Sequence, residues 1–247
     1  MWVAGVDGCR AGWIAALMKV GNPASGRIAV VPDLAAIVDA PERPAIVAVD
    51  IPIGLPDRTR GSGRVPEQLV RPLLGQRQSS VFAIPSRRAV YAADYGQACA
   101  LALATSDPPR KVSRQGFGLF PKIREADALL RARPALIERV VEVHPELAFW
   151  ALNGGRALDL PKKVKGTPYE PGMRLRRALL KHSGLLADSL IASPPPKGAA
   201  GDDLLDALAG LTVALDLATG GGQSFPHPPG RDAHGLPVAI WTLGSPP

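Results

Sequence analysis

The chain has 247 residues, of which 46% are hydrophobic and 21% are charged, and its formal net charge is +7. This length is enough to bury a substantial core in one domain spanning residues 1–247, and two cysteines are too few for a disulfide framework or a structural zinc site. No stretch reaches the roughly eighteen consecutive apolar residues of a membrane span. Asp7 and Arg10 interrupt the N-terminal apolar run, so no secretory signal is expected. We therefore expect a cytoplasmic protein.

The positive charge is concentrated in the middle of the chain. The segment from Asp57 to Arg133 carries 14 Lys or Arg and 6 Asp or Glu, whereas the remaining residues carry 15 and 16. Such a segment favours a polyanionic partner, that is, nucleic acid. A basic surface that is merely solvated is the alternative.

The first fifty residues predict a meander of three strands followed by a crossover to a fourth strand. Asp7 stands at the end of the first strand, and Asp50 closes the fourth, which Pro52 stops. The predicted strands are Trp2–Val6, Ile14–Val20, Arg27–Val31 and Ala45–Val49, with a short helix at Leu34–Ala40.

A basic, largely helical insertion is predicted at about residues 55–135, between the fourth and fifth strands. Its helical signals are modest, and Pro and Gly are frequent. The order of elements predicts an α/β fold with a mixed five-stranded sheet and flanking helices. The later elements are a fifth strand at Leu136–Val143, an amphipathic helix at Met173–His182, a long apolar helix from Asp202 to Ala218 and a final strand at Val238–Leu243.

Four aspartates are placed where the predicted fold could bring them together. Asp7 and Asp50 end neighbouring strands, while Asp203 and Asp206 are three residues apart and share one face of the late helix. Like charges at close range raise each other's pKa, and a divalent cation removes that cost. Ligand sets made only of oxygen suit Mg²⁺ or Mn²⁺. We interpret these four residues as catalytic metal ligands.

Structural roles are open for several of these side chains. Asp202 or Asp203 could be an ordinary helix N-cap, and Asp7 and Asp50 could each be turn residues. Asp206 is harder to explain in this way, because it falls within an apolar helical run where an unpaired carboxylate is expensive.

A second acidic group surrounds a histidine after the fifth strand. Glu142 and Glu146 bracket His144, whose imidazole could be a general base, a metal ligand or a structural group. We expect one of the two glutamates near the metal ions and include all three residues among the catalytic candidates.

The motifs together resemble a prokaryotic family of predicted RNase H-like nucleases, formerly a domain of unknown function. The resemblance spans nearly the whole chain. The Asp206-Ala-Leu-Ala helix also resembles the last helix of RuvC-type junction resolvases, although the middle insertion has no counterpart there. The segments that carry the family resemblance are Gly5–Trp13, Asp50–Pro56, Ser79–Phe82, Pro85–Arg87, Gln115–Phe117, Pro121–Asp127, Glu142–Glu146 and Asp203–Ala209.

The resemblance implies an RNase H-like fold and a divalent-metal-dependent nuclease, with Asp7, Asp50, Asp203 and Asp206 as ligands of Mg²⁺ or Mn²⁺. Two alternatives are a nucleic-acid-binding protein without catalysis and an enzyme acting on a small phosphorylated or nucleotide substrate. A homodimer is an open alternative to a monomer. The expected substrate-binding residues are Arg87, Lys122, Arg124, Ser79 and Glu125.

Overall fold

The structure, a computed structural model, describes residues 1–244. Its centre is a mixed five-stranded sheet of order β3-β2-β1-β4-β7, in which β2 alone runs antiparallel to the others. Two-stranded sheets pair β5 with β6, β8 with β9, and β10 with β11. The strands are β1 (Trp2–Cys9), β2 (Gly12–Lys19), β3 (Asn22–Val31), β4 (Ile46–Val49), β5 (Thr59–Arg60), β6 (Ser106–Asp107), β7 (Val140–Glu142), β8 (Lys163–Val164), β9 (Thr167–Pro168), β10 (Gln223–Arg231) and β11 (Pro237–Thr242).

Helices cover both faces of the sheet. Two 3₁₀ segments, Arg71–Ser80 and Pro134–Leu136, accompany the α-helices. The α-helices are α1 (Ala35–Val38), α2 (Val65–Val70), α3 (Arg87–Val90), α4 (Tyr95–Ala104), α5 (Arg114–Gly118), α6 (Phe120–Ala132), α7 (Pro145–Leu152), α8 (Glu170–His182), α9 (Asp188–Ile191) and α10 (Gly201–Ala218). No helix within residues 1–244 is both long enough and apolar enough to cross a membrane.

The two faces of β1 belong to different cores, because side chains alternate along a strand. Ala4 and Val6 pack in the cluster that contains Phe120 of α6, so this face is covered by the helices between β4 and β7. Val3 packs in the cluster that contains the buried leucines of α10. The sheet is therefore sandwiched between the middle of the chain and its later helices.

Two glycines bring α10 unusually close to β1. A Cβ added to Gly5 would lie 1.9 Å from the amide N of Leu211 and 2.2 Å from the carbonyl O of Ala207, distances that no real Cβ tolerates. A Cβ on Gly210 would lie 3.1 Å from the carbonyl O of Ala48. Glycine at both positions lets helix and sheet backbones touch, which sets the height at which the first turns of α10 pass the strand ends.

The predicted sheet and its flanking helices are confirmed, and the differences are local. The fifth strand is only Val140–Glu142, because the residues before it form the 3₁₀ turn and its continuation. Among the modest helical signals of the insertion, the sequence indicates helices at Ala89–Ala104 and at Pro66–Leu74. The first range contains two helices, α3 and α4, separated by a break before Asp94, the N-cap of α4. The second is α2 followed by 3₁₀ structure.

The C-terminal strand pairs with a partner that the sequence analysis did not include. β11 covers the predicted Val238–Leu243 almost completely, and β10 lies beside it in an antiparallel hairpin. A single bridge between Val143 and Trp241 joins this hairpin to the end of β7. The hairpin thereby reaches the same edge of the sheet as Asp50.

Candidate functional site

Asp7 and Asp50 lie side by side near the C-terminal ends of two parallel strands. In the pairing of β1 with β4, Val6 stands opposite Val49, and each aspartate follows its strand residue by one position. The amide N of Asp50 donates to the carbonyl O of Val6 at 2.8 Å. Both aspartates are two residues after a small residue that faces α10, so strand alternation directs both carboxylates toward that helix.

Asp206 reaches the same point from the second turn of α10. Burial raises the pKa of Asp206 to about 6. Burial, followed by the nearby carboxylate of Asp206, raises the pKa of Asp50 to about 8. Burial and the charges of Asp206 and Asp50 hold the pKa of Asp7 well above its usual value. The charge of Asp206 therefore opposes the ionisation of both strand aspartates, so three elements bring three carboxyl groups near one another.

A lysine that the sequence analysis did not identify partly neutralises this group. The Lys162 ammonium forms an ion pair with Asp206 Oδ2. Burial alone would lower the pKa of Lys162, but the carboxylates of Asp206 and Glu146 outweigh it and raise that pKa, so the amine is charged. No local pattern in the sequence marks this residue, since it lies 44 positions before its partner.

The loop that carries Lys162 is held firmly in place. The carbonyl O of Lys162 accepts a hydrogen bond from the amide N of Tyr169 at 2.7 Å, and Arg176 Nη1 donates to the carbonyl O of Leu160 at 3.0 Å. Gly172 packs so tightly beneath the loop that a Cβ there would lie 1.8 Å from a carbonyl O. These backbone contacts fix the loop, so the fold sets the position of Lys162 beside Asp206.

The two aspartates at the start of α10 have capping and ion-pair partners. Asp203 Oδ2 accepts a hydrogen bond from the amide N of Ala200 at 2.8 Å, which caps the helix. Burial raises the pKa of Asp203, and the Ala200 amide opposes that rise. Asp202 is buried and its Oδ2 lies 2.6 Å from the ammonium of Lys163. Neither aspartate is the N-cap residue, which is Ala200; Asp203, the third residue of the helix, caps it through the Ala200 amide. Asp203 is also close enough to contribute to the raised pKa of Asp7.

Glu142 and Glu146 are both bound by buried arginines. Glu142 Oε1 lies 2.6 Å from Arg64 Nη2, and its Oε2 accepts from the amide N of Ile53 at 2.7 Å. Glu146 forms a bidentate pair with Arg176, with both Nη2 to oxygen distances at 2.7 Å. Both carboxylates are therefore engaged by arginines, while Glu142 also lines the cavity that Asp7 and Asp50 line. The expectation that one glutamate lies near the metal ions stays a prediction.

His144 lies between the two arginine pairs at the N-terminus of α7. Burial lowers its pKa to about 4, so its imidazole is uncharged at neutral pH. Nε2 is 3.4 Å from the carbonyl O of Ser80, and the buried Nδ1 has no hydrogen-bond partner among residues 1–244. A neutral ring with an unused nitrogen suits hydrogen bonding to a ligand better than proton abstraction at neutral pH.

A cavity of about 230 Å³ opens beside Asp7 and Asp50. Its polar lining includes these aspartates, the Arg64 ion-pair group, Lys122 and His144. Its apolar wall is formed by Val81, Phe82, Ile84, Leu119, Val143 and Ile240. The cavity is thus bounded by the sheet edge, by the middle of the chain and by the C-terminal hairpin.

Of the predicted substrate-binding residues, Lys122 lines this cavity and Ser79 does not. The Lys122 ammonium lies 4.2 Å from the centre of the Trp13 ring, and the amine donates to the carbonyl O of Gly12. Ser79 is exposed, whereas the neighbouring Ser80 is in the lining. Both serines belong to the Ser79–Phe82 motif, and Ser80 is the one that lines the cavity.

The other predicted substrate-binding residues have structural partners. Glu125 Oε1 accepts hydrogen bonds from Trp13 Nε1 at 2.8 Å and from the amide N of Leu34 at 2.7 Å.

Arg87 is paired with Asp127 and with Asp232, so it ties α3 and α6 to the segment after β10. Arg124 Nη1 donates to the carbonyl O of Ala92 at 3.2 Å. Within residues 1–244, none of Glu125, Arg87 and Arg124 lines the cavity beside the aspartates.

A basic groove adjoins the cavity. It has a volume of about 470 Å³ and shares Arg64 with the cavity lining. Three exposed arginines line it: Arg58, Arg60 and Arg231. Arg58 and Arg60 come from the basic middle segment and Arg231 from the end of β10, so the fold gathers positive charge from two distant parts of the chain in one groove.

The side chains around Asp206 offer carboxylate oxygens as donors to a cation. Within residues 1–244, no three His, Cys, Asp or Glu side chains are grouped so as to hold a metal ion as they stand. Asp206 Oδ1 is nevertheless buried without a hydrogen-bond donor in that part of the chain, and the mutually opposed carboxyl groups favour added positive charge. Oxygen donors of this kind fit Mg²⁺ or Mn²⁺, with Lys162 remaining on the other oxygen of Asp206.

These features define an α/β protein with a buried aspartate cluster at the ends of its two central parallel strands. The chain belongs to a family described as "Protein of unknown function (DUF429)", whose model matches residues 5–231. No curated protein matches the chain, and no solved structure matches it.

Proposed function

We propose that the protein is a divalent-metal-dependent hydrolase of phosphodiester bonds in nucleic acid, with an RNase H-like fold. The observation that carries the proposal is the pairing of Asp7 with Asp50 at the ends of β1 and β4 beside an open cavity, with Asp206 of α10 near enough to raise the pKa of both. The sheet order β3-β2-β1-β4-β7 with β2 reversed supports the fold assignment.

The charge balance of the site supports a requirement for a cation. Asp7, Asp50, Glu67 and Glu142 line the cavity, while Arg64 and Lys122 supply its positive charge. Arg64 is already engaged with both glutamates. Burial holds the pKa of Asp7 and of Asp50 high, so ionisation of this pair beside a phosphate group would need an added cation.

The roles of the chain's own residues follow from their positions. When bound, a divalent cation supplies Lewis acidity and neutralises charge on the phosphate. Asp7, Asp50 and Asp206 Oδ1 would hold it, and Asp203 would complete the donor set from the start of α10. Lys162 offsets the remaining negative charge of Asp206. In the reaction, the oxygen of a water molecule forms a bond to phosphorus, and the bond from phosphorus to the leaving oxygen breaks.

The groove arginines support nucleic acid as the substrate. Arg58, Arg60 and Arg231 are exposed and line a groove that begins on the other side of Arg64 from the cavity. A strand whose backbone follows these arginines would bring a phosphodiester to the aspartates. We include the cytoplasm in the proposal, because Cys9 and Cys99 are both buried free thiols, as in reducing compartments.

The test is a cleavage assay with Mg²⁺ or Mn²⁺ on single-stranded, duplex and branched DNA and on RNA. Cleavage should require the metal ion, and Asp7→Asn should lower its rate at least about a hundredfold, the upper figure for residues that merely support a metal ligand. Asp57→Asn, at an exposed loop position, is the matched control and should retain the activity. Intact substrates under every condition, or an Asp7→Asn variant as active as wild type, would refute the proposal.

A second candidate is nucleic-acid binding without catalysis. It is favoured by the ion pair between Lys162 and Asp206, which neutralises a carboxylate without any metal ion. In that case binding should weaken steeply with salt and should survive combined replacement of Asp7, Asp50 and Asp206 by asparagine, with no cleavage in any metal ion. Fluorescence anisotropy of a labelled oligonucleotide between about 50 and 200 mM salt separates the two candidates when run beside the cleavage assay.

A further inference from the structure

The lining of the cavity beside the aspartates combines two kinds of side chain. Charged groups, among them Asp7 and Asp50, occur together with large apolar side chains. Phe82 is one of the apolar lining residues and is partly exposed. Phosphodiester chemistry at the aspartates uses charged groups, and the apolar residues are left without a role in the proposed function.

The size of the cavity limits what the apolar part can hold. Its volume is about 230 Å³, and an apolar protein cavity of about 150 Å³ accommodates one benzene ring. Pockets for larger organic ligands begin at about 300 Å³. The cavity is therefore matched to one planar heterocycle, and it is too small for two stacked base pairs.

Two residues with hydrogen-bonding side chains, His144 and Ser80, are also in the lining. The His144 Nε2 makes only a long contact, 3.4 Å, with the carbonyl O of Ser80. The Ser80 hydroxyl donates to the carbonyl O of Arg77 at 2.7 Å, which leaves its oxygen lone pairs free to accept. An aromatic face, an apolar wall and a few polar groups at the edge are what a nucleobase needs for stacking and for recognition of its edge.

We propose that this cavity binds a single unstacked nucleobase of the strand whose phosphodiester lies at Asp7 and Asp50. The inference rests on the proposed function and names its substrate class: single-stranded nucleic acid, including strand ends and unpaired positions. In an intact duplex every base is stacked and paired, and extracting one costs a few kcal/mol. A base held against Phe82 positions the phosphate attached to its sugar at the carboxylates.

The first experiment measures binding alone, in EDTA. Two labelled strands of equal length and equal phosphate charge are compared, one with bases and one made of abasic residues. The strand with bases should bind at least about tenfold more tightly, as expected for one base stacked on an aromatic side chain. The duplex of the same sequence should bind more weakly than the single strand. Equal affinity of the strands with and without bases would overturn the inference.

Variants locate the effect in the cavity. Phe82→Ala should reduce the preference for the strand with bases to about twofold or less, whereas Leu69→Ala, at an exposed position of α2 outside the lining, should preserve it. Gly118→Trp is a second variant that spares the wall. Gly118 lines the cavity, and a Cβ added there meets no atom within 4 Å, so the indole should obstruct the cavity without strain. Leu69→Trp is its control. A preference unchanged in both Phe82→Ala and Gly118→Trp would overturn the inference.

The cleavage assay separates failure of this inference from failure of the proposed function. Strands with and without bases that are cleaved at equal rates, with activity lost in Asp7→Asn, would overturn the base site and leave phosphodiester hydrolysis intact. A base preference that depends on Phe82, in a protein that cleaves nothing with Mg²⁺ or Mn²⁺, would support the base site and refute hydrolysis. Faster cleavage of single strands than of duplex, lost in Gly118→Trp, supports both.

Discussion

Replacement of Asp50 by asparagine is expected to stabilise the protein at alkaline pH. The folded protein raises the pKa of Asp50 to about 8, chiefly through burial, from an ordinary value of 3.8. Between these two pH values the folded state holds a proton that the unfolded state has lost. The free energy of unfolding therefore falls as pH rises from about 4 to about 8, by at most about 1.4 kcal/mol for each pH unit. Asparagine cannot ionise and removes this slope.

The pH interval limits how far the free energy of unfolding can change. Between pH 5 and pH 8 the upper limit is about 4 kcal/mol. Asp50 is partly exposed, and the charge of Lys162 lies nearby, so solvent and counter-charge reduce the effect. We expect the free energy of unfolding of Asp50→Asn, relative to wild type, to be about 1–3 kcal/mol higher at pH 8 than at pH 5, which is the upper limit reduced for this screening.

Urea unfolding at pH 5 and pH 8, in EDTA, measures this difference. Asp57→Asn is the control, because Asp57 is exposed on a loop and its replacement should leave the free energy of unfolding unchanged at both pH values. If the free energy of unfolding of Asp50→Asn relative to wild type stays constant or falls from pH 5 to pH 8, ionisation of Asp50 does not destabilise the folded protein and the reasoning is refuted.

Three further predictions concern packing and charge. Gly5→Ala should lower the free energy of unfolding by about 3 kcal/mol, because its Cβ would meet the backbone of α10 at 1.9 Å; an unchanged urea midpoint would contradict this. Arg64→Met should cost about 3–5 kcal/mol by leaving two buried glutamates unpaired, and a loss below about 1 kcal/mol would mean that they are protonated. Lys162→Met should tighten Mn²⁺ binding by about tenfold or more, measured by calorimetry, since a cation beside Asp206 disappears; weaker binding would show that Lys162 assists the metal ion.

The central sheet could be predicted from the sequence because the pattern of apolar residues in each strand reflects which of its faces are buried. β1 and β4 are short apolar runs, with Asp7 near the end of the first and Asp50 directly after the second, and alternation along β1 separates the residues of the two cores. The positions of Asp7 and Asp50 follow from the same pattern, since parallel neighbours end at one edge. The apolar run from Leu204 onward likewise predicts the long helix α10. Asp206 could be singled out as the acid within that run.

The partners of the charged residues could not be predicted, because ion pairs depend on contacts far apart in sequence. Arg64 lies 78 residues before Glu142, and Arg176 lies 30 residues after Glu146. No periodicity links such residues, so the two glutamates beside His144 were indistinguishable from free ligands. Arg87 was interpreted as substrate-binding for the same reason, although two carboxylates enclose it. Motif residues identify a region of the fold, and the packing decides which of them face a ligand.

Because α10 packs on Gly5 of β1, the order of synthesis on the ribosome determines when this contact can form. β1 is among the first segments to emerge, and the helix that covers its face follows roughly two hundred residues later. A nascent chain therefore carries Asp7 and Asp50 without Asp206 for most of its synthesis, and late closure of such long-range contacts is slow. The aspartate cluster can therefore assemble only after the first turns of α10 have been synthesised.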